Sequence, residues 1–232
     1  MKRMLVISDI HGEIYKFERL LEETSYDPAQ DQLILLGDYV DRGPSPKAVI
    51  EKVMALKAQG AILLKGNHED MMEKAFQDKQ RLKHWFRNGG QETLKSYGYE
   101  VPEVHDLDQL VASSYPLKKT ETLAKHLEFI HQLDHYYETE DFIFVHGGVH
   151  PTTPINETDP YLLMWIRDEF HHGYNGEKPV VFGHTPTDHF HDGFGVFFAT
   201  NNIIGIDGGC VYGGQLNALE LPSKKTYSVK DI

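Results

Sequence analysis

Three short runs of Leu, Ile and Val, each ending in a polar, glycine-containing block, constrain the fold of this chain more than any other feature. They span Met4 to Ser8, Gln32 to Leu36 and Ala61 to Lys65. Nearly continuous apolar strands suit parallel pairing with both faces covered, because neither face can be left to water. Between them Ile14, Phe17 and Leu21 recur at helical spacing, as do Val49, Val53 and Leu56, so each connection presents one apolar stripe to a sheet. Ser45-Pro46 marks the start of the second connection and Gly60 its end. The sequence therefore predicts a βαβαβ unit.

From Asp70 to about Leu133 the pattern turns helical, with a stripe at Leu123, Leu127 and Ile130 and a break at Asn88-Gly89-Gly90. After Tyr136 short strands return in FIFVHGG, PVVFGHT, GVFFAT, IIGIDGG and QLNALEL. The expected architecture is α/β: two packed β-sheets forming a sandwich flanked by helices, with a helical insert at about 70–133 in a single domain, 1–232. At 232 residues the chain is long enough to bury one sizeable core.

Charge narrows the function classes. With 23 Lys and Arg against 35 Asp and Glu, the net charge of −12 repels nucleic acid and anionic membranes. A phosphate ligand would need a local positive centre. Cys210 is the single cysteine, so neither an intrachain disulfide nor a cysteine-based metal site is expected, which fits a reducing compartment. The apolar stretch Met4 to Ile7 is too short for a signal peptide, and no segment reaches the roughly 20 apolar residues of a membrane span. A cytoplasmic location is the expectation.

Metal-competent side chains follow the strands in five blocks: SDIHG at Ser8, GDYVDRG at Gly37, GNHED at Gly66, HGG at His146 and GHT at Gly183. Singly, each has a plainer explanation. An Asp after a strand is more often a helix cap, an isolated His more often a hydrogen-bonded side chain, and an Asn more often a turn residue. Jointly, two carboxylates, one amide and three imidazoles stand where strands of an open α/β sheet deliver ligands to a common crevice. Oxygen and imidazole donors without thiolate select Mn²⁺, with Fe or Zn²⁺ also suited, over copper or iron–sulfur.

The order and spacing of these blocks, from Ser8 to Asp207, resemble the PPP family of metallophosphatases within the calcineurin-like phosphoesterase superfamily. HWFRNGG at His84, MWIRDE at Met164 and VFGHTP at Val181 resemble in particular its lambda-phage-type bacterial serine/threonine protein phosphatases. The resemblance implies that Asp9 and His11 bind one metal, Asn67, His146 and His184 bind the second, and Asp38 bridges them. Two dications about 4 Å apart repel by roughly 16 kcal/mol at an effective dielectric of about 20, so an anion between them is required. The metals, two aspartates and a bridging hydroxide leave a small positive charge. Arg42 and Arg167 raise it enough to hold a phosphate dianion despite the distant surface charge.

The same resemblance implies in-line attack by metal-activated hydroxide, a phosphoryl clamp from Arg42 and Arg167, and proton donation to the leaving group by His68, with Asp41 fixing the imidazole tautomer. Ser8 stands where the family usually has glycine and is small enough to be tolerated. The chain is shorter than the eukaryotic members, so their regulatory partners do not transfer. The expected substrate is a phosphoprotein or phosphopeptide and the product inorganic phosphate, because Asp41, Arg42 and Glu69 resemble the phosphoprotein branch. A dinucleoside polyphosphate (diadenosine tetraphosphate) hydrolase is the alternative enzyme, and a catalytically silent metal-binding module the alternative from another class. A phosphodiesterase fits less well, since two arginines suit a dianionic monoester.

Overall fold

The computed structural model describes residues 2–102 and 106–230. The βαβαβ expectation is met by β1 (Met4–Ile7), α1 (Ile14–Glu23), β2 (Gln32–Leu35), α2 (Pro46–Ala58) and β3 (Ile62–Leu63). The third strand is shorter than the apolar run suggested. Beyond Leu63 only an isolated bridge from Leu64 to Asp134 continues the pairing. The helical stretch follows as α3 (Asn67–Lys74), α4 (Lys79–Arg87), α5 (Gly90–Ser96), α6 (Leu107–Ser114) and α7 (Glu121–His131). Gly89, with φ of 95°, supplies the left-handed turn between α4 and α5.

The remaining elements are β4 (Tyr136–Glu138), β5 (Ile143–Val145), α8 (Pro160–Trp165), α9 (Asp168–Gly173), β6 (Val180–Phe182), β7 (Phe197–Phe198), β8 (Ile203–Gly205), β9 (Gln215–Leu221) and β10 (Lys225–Lys230). The sequence reading anticipated neither α8 and α9 nor β10. The first two are six residues each, too short for a helical period to stand out, and β10 is polar at alternate positions because its outer face meets water.

Two five-stranded mixed sheets result, ordered β10-β9-β1-β2-β3 and β4-β5-β6-β8-β7. In the first, β1 pairs in parallel with β2 and antiparallel with β9. In the second, β5, β6 and β8 run parallel, with antiparallel β4 and β7 at its edges.

Strand alternation explains why these runs are apolar throughout. Leu5, Ile7, Leu33 and Leu35 join Phe17, Leu20, Val49 and Val53 in the core beneath the helices. Their alternates Met4, Val6, Ile34 and Leu36 meet Phe144, Val181 and Ile204 of the second sheet. Val145, Val180 and Phe182 point the other way, onto Leu163 of α8 and Phe170 of α9. Fully burying each such side chain contributes about 1.5–3 kcal/mol, so both faces of both sheets are committed. No helix among the described residues is long and apolar enough to cross a membrane.

Candidate metal centre

The parallel strands point their carboxyl ends the same way, and the loops leaving β1, β2, β3, β5 and β6 carry Asp9, Asp38, Asn67, His146 and His184 to one place. Their convergence is visible in the hydrogen bonds. Asn67 Oδ1 lies 2.9 Å from both His146 Nε2 and His184 Nδ1, and Asp9 Oδ2 accepts from the His184 backbone at 3.0 Å. Close approach demands glycine here. A Cβ on Gly66 would lie 2.2 Å from Asp38 Oδ1, and one on Gly183 would lie 2.2 Å from Asp9 Oδ2. Ser8, small as expected, fits buried beside Gly183.

Backbone strain is concentrated at the same spot. Among the described residues, six of the nine non-glycine residues with positive φ are Asp9, His11, Asp38, Asp41, Arg42 and His184. A left-handed non-glycine residue costs on the order of 1–3 kcal/mol, less for Asp, and persists only where the surrounding structure enforces it.

Asp38 occupies the centre. Two sets of candidate donor atoms, His11 with Asp38 and His68, and Asp38 with His146 and His184, each fall within 4.8 Å, and Asp38 belongs to both. Its Oδ2 faces His11 Nε2 at 3.6 Å, and its Oδ1 faces His146 Nε2 at 3.4 Å. Asp9 lies at the same rim but outside both sets, and His68 takes its place in the first.

The histidine tautomers follow from the partners on the far side of each ring. Nδ1 of His11 donates to the Val40 carbonyl at 2.8 Å, and Nδ1 of His146 to the Leu36 carbonyl at 3.0 Å. In a neutral ring Nε2 then carries a lone pair, and at His146 that lone pair faces an amide oxygen and a carboxylate oxygen. Lone pairs converging without a donor call for a positive charge between them, so the donor set fits a cation. Burial alone lowers the His146 pKa, but the charge and hydrogen bond of Asp38, with Asp9, override it and raise it to about 9. Burial, and then neighbouring histidines, hold His11 and His184 well below the usual imidazole range, so both rings are neutral near pH 7.

Buried anions outnumber buried cations. Asp9, Asp38 and Asp207 are all nearly inaccessible. Burial, then the charge of Asp9, pushes Asp207 well above the usual carboxylate range, and burial likewise raises Asp9. Asp38 stays well below that range because His146, His68 and His11 together outweigh its burial. Carboxylates this enclosed need compensating positive charge. Asp207 follows β8, and sequence reasoning did not single it out, although IIGIDGG places it at a strand end like the other acids.

Beside the donors, His68 gives its Nδ1–H to Asp41 Oδ2 at 2.6 Å. Asp41 is fully buried and also accepts from Thr93 Oγ1 at 2.6 Å and Trp85 Nε1 at 2.9 Å. It bonds side chains of α4 and α5, not the turn amides that an isolated Asp before glycine would take. Glu69 has a different task. Its carboxylate accepts from the backbone N–H groups of Asp38, Tyr39, Val40 and Gly66, at 2.8, 2.8, 3.3 and 2.9 Å, clasping the loop that carries Asp38. Burial and the charge of Asp38 raise it to about 7 despite those donors.

A cavity of about 400 Å³ opens over this cluster, lined in part by Asp38, His68, Arg42, Arg167 and Tyr212. Arg42 reaches His11 Nε2 at 2.7 Å and lies 5.1 Å from the Tyr212 ring centre. Arg167 caps the start of α9 and donates to Thr185 Oγ1 at 3.2 Å and the His184 carbonyl at 3.3 Å. Both residues thus border the cavity, Arg167 as the exposed residue at the start of α9.

Comparison with known proteins agrees with this geometry. The asymmetrical bis(5'-nucleosyl)-tetraphosphatase of Anoxybacillus flavithermus is 26% identical over 97% of this chain and 92% of its own length. That of Oceanobacillus iheyensis is 26% identical over 97% and 90%. Among solved structures, a candidate diadenosine tetraphosphatase superposes with a TM-score of 0.67 at 24% identity, covering 100% of this chain and 94% of that one. A serine/threonine phosphatase of Saccharomyces cerevisiae does so with 0.62 at 14%, covering 99% and 80%. The model of the calcineurin-like phosphoesterase family matches residues 2–204, and with its donors at the strand ends this chain belongs to that family of metallophosphoesterases.

Proposed function

We propose that this chain hydrolyses dinucleoside polyphosphates, with two divalent cations sharing Asp38. The observation that carries the reading is the position of Asp38, whose two oxygens face two separate donor groups beneath Arg42 and Arg167. Asp9 and His11 would hold one cation with Asp38. Asn67, His146 and His184 would hold the other, with Mn²⁺ the first choice and Fe or Zn²⁺ also compatible with oxygen and imidazole donors. When bound, such a pair acidifies a water and offsets charge on a phosphoryl group. His68 is assigned to proton transfer instead of ligation because its Nδ1–H meets the carboxylate of Asp41, which supports a protonated ring, whereas His11 and His146 give theirs to backbone carbonyls. Nε2 of His68, 3.9 Å from Asp38 Oδ2, is then in position to pass a proton to a leaving oxygen in the cavity. Arg42 and Arg167 bind phosphoryl oxygens with planar forks.

The substrate class departs from the sequence expectation for a physical reason. Asp41, Arg42 and Glu69 argued for a phosphoprotein, yet Asp41 orients His68, Arg42 borders the cavity and Glu69 clasps the Asp38 loop. Any phosphoryl transfer at this site needs all three, so none discriminates. Relatives that span 97% of the chain and are named for dinucleoside tetraphosphates then weigh more. Phosphoserine or phosphothreonine stays as the second reading on one observation: His68 is bonded to Asp41 at 2.6 Å, an arrangement that suits a proton donor, which an alkoxide leaving group needs more than a phosphate does.

Side-by-side turnover of diadenosine tetraphosphate and a phosphoserine peptide with added Mn²⁺ tests the choice. The reading expects the larger kcat/KM on the tetraphosphate. Fast turnover of the peptide with none of the tetraphosphate would install the second reading, and bound metal with neither activity would leave a silent binding module.

A further inference from the structure

The chain carries 12 more acidic than basic residues, yet one groove runs against that balance. It has a volume of about 520 Å³ and lies between α4 and α6, lined by Lys79, Lys83, His84 and Arg87 with Asp108 as its single carboxylate. Lys79, Lys83 and Arg87 recur every four residues, so they share one face of α4 and spread over about 12 Å at 1.5 Å per residue. Asp108 pairs with Lys83. Arg81 pairs with Asp78 instead, and Lys79 leans on the Tyr115 ring with 5.9 Å to its centre. Arg87 is exposed and has no ion-pair partner among the described residues. Among the described residues the groove therefore keeps a positive excess.

Its position gives that charge a use. Arg87 in the groove precedes Asn88, which lines the catalytic cavity. His84 of the groove and Trp165 of the cavity are in contact, with ring centres 6.1 Å apart. The groove and the cavity thus share a wall, and a ligand whose phosphoryl group sits by Arg42 and Arg167 has a basic strip leading away from it. A single phosphate ends inside the cavity. A chain of phosphates does not.

We propose that this face of α4 is a binding subsite for an extended polyphosphate, holding the part of the substrate that lies beyond the phosphate under attack. The inference deepens the reading given under Proposed function and rests on it for the identity of the whole substrate. Lys79, Lys83 and Arg87 bind and orient; none touches the reacting atoms. Exposed charge contacts each change an affinity by a few-fold, so the three together are worth roughly 10- to 100-fold, and the effect weakens as salt rises.

The test is the Lys79→Gln, Lys83→Gln, Arg87→Gln variant of the full chain, using p-nitrophenyl phosphate turnover as the reporter. Inorganic tripolyphosphate and orthophosphate serve as inhibitors at matched free Mn²⁺. The triple substitution should raise the tripolyphosphate Ki about 10- to 100-fold while leaving the orthophosphate Ki and the reporter kcat unchanged. Arg87→Gln alone should give the same direction at smaller size and covers the case in which the triple variant folds poorly. An unaltered tripolyphosphate Ki, or equal increases for both inhibitors, overturns the subsite. So does a variant that loses kcat/KM only on an acid-flanked phosphopeptide, which would make the strip a peptide contact. Because the Ki values do not depend on tetraphosphate turnover, a wild-type chain that fails to cleave diadenosine tetraphosphate would sink the substrate assignment and still leave the groove decided.

Discussion

Changing Asp41 to Asn removes one charge and no volume, and its consequences can be worked from the three donors that converge on that carboxylate. His68 Nδ1 and Thr93 Oγ1 approach to 2.6 Å and Trp85 Nε1 to 2.9 Å. An amide offers one acceptor oxygen and an NH₂ group. If the oxygen serves Thr93 and Trp85, the NH₂ faces His68, which must then present a lone pair at Nδ1 and carry its proton on Nε2. The imidazolium, which has an N–H on both sides, loses its acceptor. A hydrogen bond to a charged group is worth about 1.5–3 kcal/mol, or roughly 10- to 150-fold in the proton-bearing form. Complete loss of general-acid catalysis sets a ceiling of about 10⁴. The deficit should track the leaving group. On a phosphoserine peptide, where an alkoxide departs, kcat should fall between those limits, whereas p-nitrophenyl phosphate, whose leaving group needs little protonation, should lose far less. Trp85→Phe, which leaves the His68 bond in place, should show the same trend at a fraction of the size. Equal losses on both substrates in Asp41→Asn would refute the proton-donor argument.

Other outcomes follow from the same geometry. Arg167→Ala should weaken product-phosphate inhibition by about 10-fold, as loss of a charge-assisted contact implies, and unchanged inhibition would leave Arg167 as a brace for the His184 loop. Glu69→Gln turns two oxygens that accept four bonds into a mixed donor and acceptor beneath Asp38, so metal affinity should fall by about 10- to 100-fold; wild-type affinity would show that the loop holds itself. His171 is buried among Phe170, Phe182 and Phe190, and burial pushes its pKa down to about 4 despite Asp168. The unfolded chain gains this proton near pH 6.5 and the folded chain only near 4, so the contribution to stability is full above pH 6.5 and declines as pH falls through that window, by at most about 3 kcal/mol. His171→Phe should flatten the fall of Tm between those limits, and an unchanged slope would point to other groups.

The sequence made the frame and most of the site legible because both are written locally. A strand followed by a polar block that contains glycine can be read anywhere in the chain, and Asp9, Asp38, Asn67, His146 and His184 all lie in such blocks. What escaped depends on partners far away in sequence. Trp85 and Thr93 hold Asp41 across separations of 44 and 52 residues, and no spacing rule links them. Glu69 could be read as part of a motif, but three of its four backbone partners, Asp38, Tyr39 and Val40, come from a loop about 30 residues away, the fourth being Gly66 at the local helix cap. The third strand was read too long because Leu64 and Lys65, though in line with the apolar run, turn to Asp134 instead, Leu64 by an isolated bridge and Lys65 by its backbone N–H, while the buried Lys65 side chain pairs with Glu73. The basic face of α4 was hidden by a net charge averaged over the whole chain.

The proposed sharing of Asp38 by two cations can be tested directly. Crystals grown with Mn²⁺ and measured at its absorption edge should show two anomalous peaks about 3.5–4 Å apart, one on each side of the Asp38 carboxylate, and crystals of Asp38→Asn should lose at least one of them. A single peak in the wild-type protein, or two that do not both contact Asp38, would contradict the dinuclear centre.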